Sequence, residues 1–179
     1  LVIFEKPTDL FTYNDKAIDF DFELLTKGRT SAPLSPTNGF LGDKANLFIE
    51  EGAKVEFVTL NCQKGKIYIG KDAEVMEGSH LRGSIALCEH ATVNMGAKLY
   101  GATTIGPYSK VGGEISNSVI WGYSNKGHDG FLGNSVLGQW CNLGADTNVS
   151  NLKNTYNTIQ RWVSKRSGGC CLRVELVIN

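Results

Sequence analysis

An excess of charge of either sign is absent from this chain of 179 residues: 18 Lys and Arg stand against 18 Asp and Glu. That balance argues against nucleic acid or an anionic membrane as the main partner, because both require a cationic surface. Long apolar runs are also absent; none approaches the roughly 20 residues of a spanning helix. The opening Leu-Val-Ile-Phe-Glu-Lys-Pro has neither the basic flank nor the cleavage site of a signal peptide. The five cysteines, at 62, 88, 141, 170 and 171, are odd in number and lack metal-ligand spacing. They read as reduced thiols of a cytoplasmic protein, not as a disulfide framework or zinc site. No GxGxxG, Walker or GxSxG motif occurs. Proline is scarce at 4 residues, whereas glycine reaches 21 without falling at every third position, so collagen is excluded.

What the glycines punctuate is a repeat. From residue 69 the chain divides into sixes: IGKDAE, VMEGSH, LRGSIA, LCEHAT, VNMGAK, LYGATT, IGPYSK and VGGEIS. The first position is aliphatic throughout: Ile69, Val75, Leu81, Leu87, Val93, Leu99, Ile105 and Val111. The fifth is mostly small: Ala73, Ser79, Ile85, Ala91, Ala97, Thr103, Ser109 and Ile115. IEEGAK and VEFVTL precede at 49–60, and FLGNSV, LGQWCN and LGADTN resume the beat from Phe131. Neither a helical period of 3.6 nor a strand period of 2 accounts for sixes. A parallel β-helix does. Each hexad makes a short strand and a turn, and three hexads close one coil of a triangular prism. Coils stack at roughly 4.8 Å through backbone hydrogen bonds. The first and fifth positions point inward, and the hexads predict four to five coils of an all-β domain over 43–160.

The flanks differ. Residues 1–42 are expected to hold one or two amphipathic helices, with Leu10, Phe11, Ile18, Phe22 and Leu25 as the apolar face, and then a Pro- and Gly-containing linker at 31–42. NCQKGK at 61–66 reads as a short loop. The polar stretch 117–134 reads as an excursion from the beat. Residues 161–179 carry no repeat phase and read as an irregular tail.

The flat walls of a prism carry little chemistry, so function is expected on segments that leave the repeat. The stretch 117–134 holds His128, one of 3 histidines. An imidazole is the usual general base near neutral pH. Acyl transfer from a thioester to an amine needs such a base, and also donors for the tetrahedral oxyanion, often backbone N–H groups. Lys126 is placed to meet an anionic substrate, and Asp129 either to orient the imidazole or to cap a turn. A solvated turn residue is the plain alternative for His128. His80 and His90 are ten residues apart and fall on different walls, which does not supply a metal site; they read as surface positions.

The hexads resemble the left-handed β-helix acyltransferase superfamily. GGEISNSVIWGYSNKGHDGFLGNSVLGQWCNLGADTNVSNLKN resembles the acetyltransferase half of bifunctional sugar-phosphate acetyltransferase/nucleotidyltransferase enzymes of the glucosamine-1-phosphate type. Their pattern runs E-(I/V)-K-N-S, a His, Y-x-G-D-S, N-(I/L)-G-A-G-T and an Asn. DFELLTKGRTSAPLSPTN, EGSHLRG, GATTIGP and SNKGHDGFLGN are similar to the alternate, GlmU-like proteins described from Bacteroidetes. The resemblance implies left-handedness, acetyl-CoA as co-substrate and N-acetylation of an amino-sugar 1-phosphate in nucleotide-sugar and cell-envelope precursor synthesis. It implies a homotrimer with the site between subunits. It makes His128 the base, Asn142, Asn151 and Phe131 sugar-binding positions, and Ala145 a backbone contact of the acetyl donor. Residues 1–42 resemble the end of a nucleotidyltransferase domain otherwise missing from the chain, and Mg2+ would belong to that domain alone. Ser116 stands where the pattern has Lys, Phe131 where it has Tyr, Asn134 where it has Asp and Asp146 where it has Gly. Lost charges and hydroxyls of this kind alter recognition. The alternative is a non-catalytic β-helix that trimerises a sugar-1-phosphate nucleotidyltransferase.

Overall fold

The computed structural model describes residues 4–150. The expected position Asn151 and the tail 161–179 lie outside the described residues. Two helices, α1 (Asp9–Thr12) and α2 (Asn14–Thr26), precede a parallel β-solenoid. The solenoid has three walls. The first stacks Gly39–Leu41, Thr59–Asn61, His80–Arg82, Lys98–Tyr100, Glu114–Ser116 and Phe131–Gly133. The second stacks Leu47–Ile49, Ile67–Ile69, Ile85–Leu87, Thr103–Ile105, Val119–Ile120 and Val136–Leu137. The third stacks Lys54–Val55, Glu74–Val75, Thr92–Val93, Lys110–Val111 and Asn125–Lys126. Every pairing is parallel and joins one coil to the next, as in a left-handed β-helix. Isolated bridges Asn125↔Asn142 and Leu132↔Val149 carry the third and first walls one step further.

The inward columns are those the sixes predict. Leu60, Leu81, Leu99, Ile115 and Leu132 line the first wall, Ile69, Leu87, Ile105, Ile120 and Leu137 the second, and Val55, Val75, Val93 and Val111 the third; all are buried. Two positions before most of these lies a second inward side chain, glycine standing there before Ile115 and Leu132, and where it is Ala or Ser it leaves room for the aliphatic columns of the other walls. The buried serines are satisfied: Ser109 donates to the Trp121 carbonyl at 2.7 Å and Ser124 to the Gly138 carbonyl at 2.6 Å. A hydroxyl buried without such a partner would cost roughly 1–3 kcal/mol.

The stack is longer than the four to five coils expected, with six strands in two walls and five in the third. One reason lies in the segment read as a linker. Gly39–Leu41 already pairs with Thr59–Asn61, and Asn38 ties to the next turn by donating to the Val55 carbonyl at 2.7 Å and accepting from the Val58 N–H at 2.9 Å. The other lies at 117–134, which does not leave the stack. Its residues 119–120, 125–126 and 131–133 are strands of the three walls. Coil length changes instead: Ile67 pairs with Ile85, eighteen positions on, but Thr104 pairs with Val119, fifteen positions on. Ile115, a fifth-position residue in the hexad reading, therefore takes the aliphatic place opposite Leu99.

The helices cover the second wall. Phe11, Ile18 and Phe22 are buried, while Leu25 is exposed. The Asn14 amide donates to the Ala102 carbonyl at 2.8 Å and its oxygen accepts from the Thr104 hydroxyl at 2.9 Å. Lys66 pairs with Glu23 at 2.6 Å and lies over the Phe22 ring. None of the described helices is long and apolar enough to cross a membrane.

Because every column is continuous, a gap in one is felt by three neighbouring coils. Leu99→Ala, at the middle of the first column, is expected to lower unfolding free energy by about 2–5 kcal/mol. Urea denaturation followed by circular dichroism measures this, and a loss under about 1 kcal/mol would contradict a close-packed interior.

Candidate functional site

Four residues, Gly127, His128, Asp129 and Gly130, turn the chain from the third wall into the first. The corner directly below, between Val111 and Glu114, has two residues, Gly112 and Gly113. The upper corner settles onto this shorter one. A Cβ on Gly113 would lie 2.8 Å from the Gly130 carbonyl oxygen and 2.9 Å from Asp129 Cα, and one on Gly112 would collide with the Gly127 carbonyl oxygen. Only glycine fits both places.

The carbonyls of the upper corner are all engaged. Asn94 reaches from two coils below and donates to the Gly127 oxygen at 2.7 Å. Lys126 Nζ donates to the His128 oxygen at 2.7 Å. The Asp146 N–H, from the corner above, donates to the Asp129 oxygen at 3.0 Å, and the Glu114 N–H to the Gly130 oxygen at 3.2 Å. The N–H groups of residues 127–130 donate to none of the described residues. The His128 side chain is exposed and its ring makes no hydrogen bond with them. Among the described residues, this is a corner of unengaged donors beside an unengaged imidazole, with glycine in place of obstructing side chains beneath.

Lys126 departs from expectation. It does not face solvent to meet an anion but occupies the inward column of the third wall, continuing Val55, Val75, Val93 and Val111, at 2% exposure. Its amine also donates to the Gly112 oxygen at 3.1 Å. Burial pushes the ammonium below its ordinary value, and the nearby Asp129 carboxylate pulls the other way.

The remaining predicted positions gather on the same edge in part. Phe131 opens the first-wall strand that follows the corner, half-buried, with its N–H donating to Asn148 Oδ1 at 2.8 Å. Ala145 is exposed in the corner stacked above His128. Asn142 lies exposed on the third wall, its Oδ1 accepting from Asn125 Nδ2 at 2.7 Å, while the buried Asn125 Oδ1 has no partner among the described residues. Two of the departures from the family pattern sit at left-handed corners, Asn134 with φ 46° and Asp146 with φ 59°, where Asn and Asp are among the best-tolerated side chains after glycine. Asn134 Oδ1 accepts from Asn117 at 2.7 Å on a different edge. Ser116 lies on the outer face of the first wall, beside Tyr100 and Gly133.

Sequence reasoning missed Asn94, the two-glycine corner and an aromatic edge. At the turn from the second wall to the third, His90, Tyr108, Tyr123 and Trp140 stack face to face, with centroids 4.6, 5.3 and 4.6 Å apart. The signal for the short corner was present: Val111 and Ile115 are four positions apart where the beat demands six. No family model matches the chain, and no curated protein is found to be similar to it.

The buried amine makes a pH signature. With its folded value below 10.5, the folded chain sheds this proton first. Between that depressed value and 10.5 the unfolded chain binds more protons, so this group's contribution to stability grows as pH rises through the window. The melting temperature of the wild-type chain minus that of Lys126→Met should therefore climb as pH rises towards 10.5. A flat difference would contradict a titrating amine inside the prism.

Proposed function

We propose that the chain is an acetyl-CoA-dependent acyltransferase domain that N-acetylates an amino-sugar 1-phosphate, with His128 as general base. The observation that carries this reading is an exposed imidazole on an edge where neither the ring nor the backbone N–H groups of residues 127–130 donate to any of the described residues. In the reaction the amine nitrogen attacks the thioester carbonyl while His128 accepts its proton. Main-chain N–H groups of the corner hold the resulting oxyanion. Collapse breaks the C–S bond, and the imidazolium returns the proton to the departing thiolate. Phe131 and Asn142 lie on the walls to either side, where a sugar would rest, and the 144–147 corner containing Ala145 lies above for the acetyl donor. With Lys126 turned inward, the phosphate must be met by other groups. His128→Ala is expected to reduce acetylation of an amino-sugar 1-phosphate by roughly 10²–10⁴-fold. An unchanged rate removes His128 from the mechanism.

A second reading, a β-helix that only assembles a sugar-1-phosphate nucleotidyltransferase, is favoured by one observation: the Lys expected to contact the anion is buried. Calorimetric titration with acetyl-CoA separates the two. Heat of binding that saturates supports the transferase, and no heat at millimolar ligand supports the assembly module. Both readings expect a homotrimer, so light scattering should report three times the 19.5 kDa chain mass. A 19.5 kDa particle counts against either.

A further inference from the structure

The third wall offers an aliphatic residue to the interior in each of its first four strands and a lysine in the fifth. A buried ammonium is held at a cost unless its donors find acceptors. Here they find two, and one is the carbonyl of the residue that carries the exposed imidazole. The trans peptide is planar, with its C=O and N–H on opposite sides. With the His128 oxygen drawn towards an amine in the interior, the N–H of the same peptide, that of Asp129, is turned away from the amine towards the outer side. Asp129 is exposed, and this N–H donates to none of the described residues.

We propose that Lys126 is the positioning residue of the His128 corner: by holding the His128 carbonyl inside the prism, it keeps the Asp129 N–H and the imidazole together on the outside, as donor and base for one reacting carbonyl. The role as donor and base rests on the acyltransferase reading above; the hold on the peptide does not. The other ties of the corner do not substitute for it. Asn94 fixes the Gly127 carbonyl and Asp146 the Asp129 carbonyl, leaving the peptide between them to Lys126 alone among the described residues.

Lys126→Met keeps an unbranched apolar stem in the column and removes both donors. In the full chain it should lower kcat for acetyl transfer about 10- to 100-fold, with KM for acetyl-CoA unchanged, because the reacting groups are misplaced while the donor's site is intact. The His128 Hε1 resonance, expected as a single sharp line in the wild-type chain, should shift or broaden in the variant. A merely structural lysine would lower the melting temperature and move neither readout. An unshifted, sharp resonance with wild-type kcat overturns the proposal. If the wild-type chain transfers no acetyl group, the acyltransferase reading fails, and the resonance alone decides whether Lys126 sets the corner. Should the variant not fold, reductive methylation of the wild-type chain decides: Lys126 should stay unmodified while Lys98 and Lys110 react, and modification of Lys126 at their rate overturns the proposal.

Discussion

The interior of the prism admits one large side chain, aliphatic everywhere but at Lys126, and at most one further, mostly small, side chain from each wall in each coil, and the remaining features of the molecule follow from that restriction. Parallel hydrogen bonds fix the stacking, so every inward residue lies directly above and below its counterparts in adjacent coils. The interior volume is shared by the inward side chains of three walls, which form one core cluster. Ala73, Ala91 and Ala97 are fully buried, and each is two positions before a Val or Leu. A large residue at such a place would press on the columns of the other walls, and overpacking of this kind costs typically 1–3 kcal/mol. With the interior so constrained, variation is left to the corners and the outer faces.

The three edges have accordingly taken on different chemistry. The edge between the second and third walls holds Asp72, His90, Tyr108, Tyr123 and Trp140 in left-handed conformations, with φ from 54° to 59°. Each such residue costs of order 1–2 kcal/mol. Ring stacking contributes about 0.5–1.5 kcal/mol per pair beyond the area buried, which is comparable in size. The stack thus offsets part of the cost of the conformation that presents it. The edge between the first and second walls uses Gly101, Asn117 and Asn134, residue types that tolerate the same conformation with less strain. The edge between the third and first walls is the glycine-rich one, and its corner at 127–130 carries the exposed imidazole of His128.

Legibility in the sequence followed from where corners keep a constant length. From Ile69 to Val111 the sixes name the inward residues one by one, and the structure buries every one of them. Beyond Val111 the corners shorten, the sixes lose phase, and the inward positions turn polar: Ser118, Ser124, Lys126 and Ser135. A stretch with Asn, Lys, His, Asp and Gly then reads as a solvated loop, although each of its strands still alternates inward and outward. The exposure of His128 was readable, because a His between glycines at a turn has nothing to bury it. The burial of Lys126 was not, because composition assigns lysine to the surface and only the coil-to-coil register places it opposite Val111.

The short corner and the buried lysine belong to one arrangement. Trimming the Val111–Glu114 turn to two glycines lets the next corner drop onto it and brings the Gly112 oxygen within 3.1 Å of Lys126 Nζ. The same absence of side chains lets Asn94 pass across that level to the Gly127 oxygen. If a valine stood at 126, the column would be completed at no electrostatic cost, but the His128 carbonyl would lose its donor inside the prism. Lysine is therefore the costlier residue for the column and the more useful one for the corner. Lysine at 126 and glycine at 112 and 113 together set the geometry of the His128 peptide, a constraint that the packing of the third wall does not itself require.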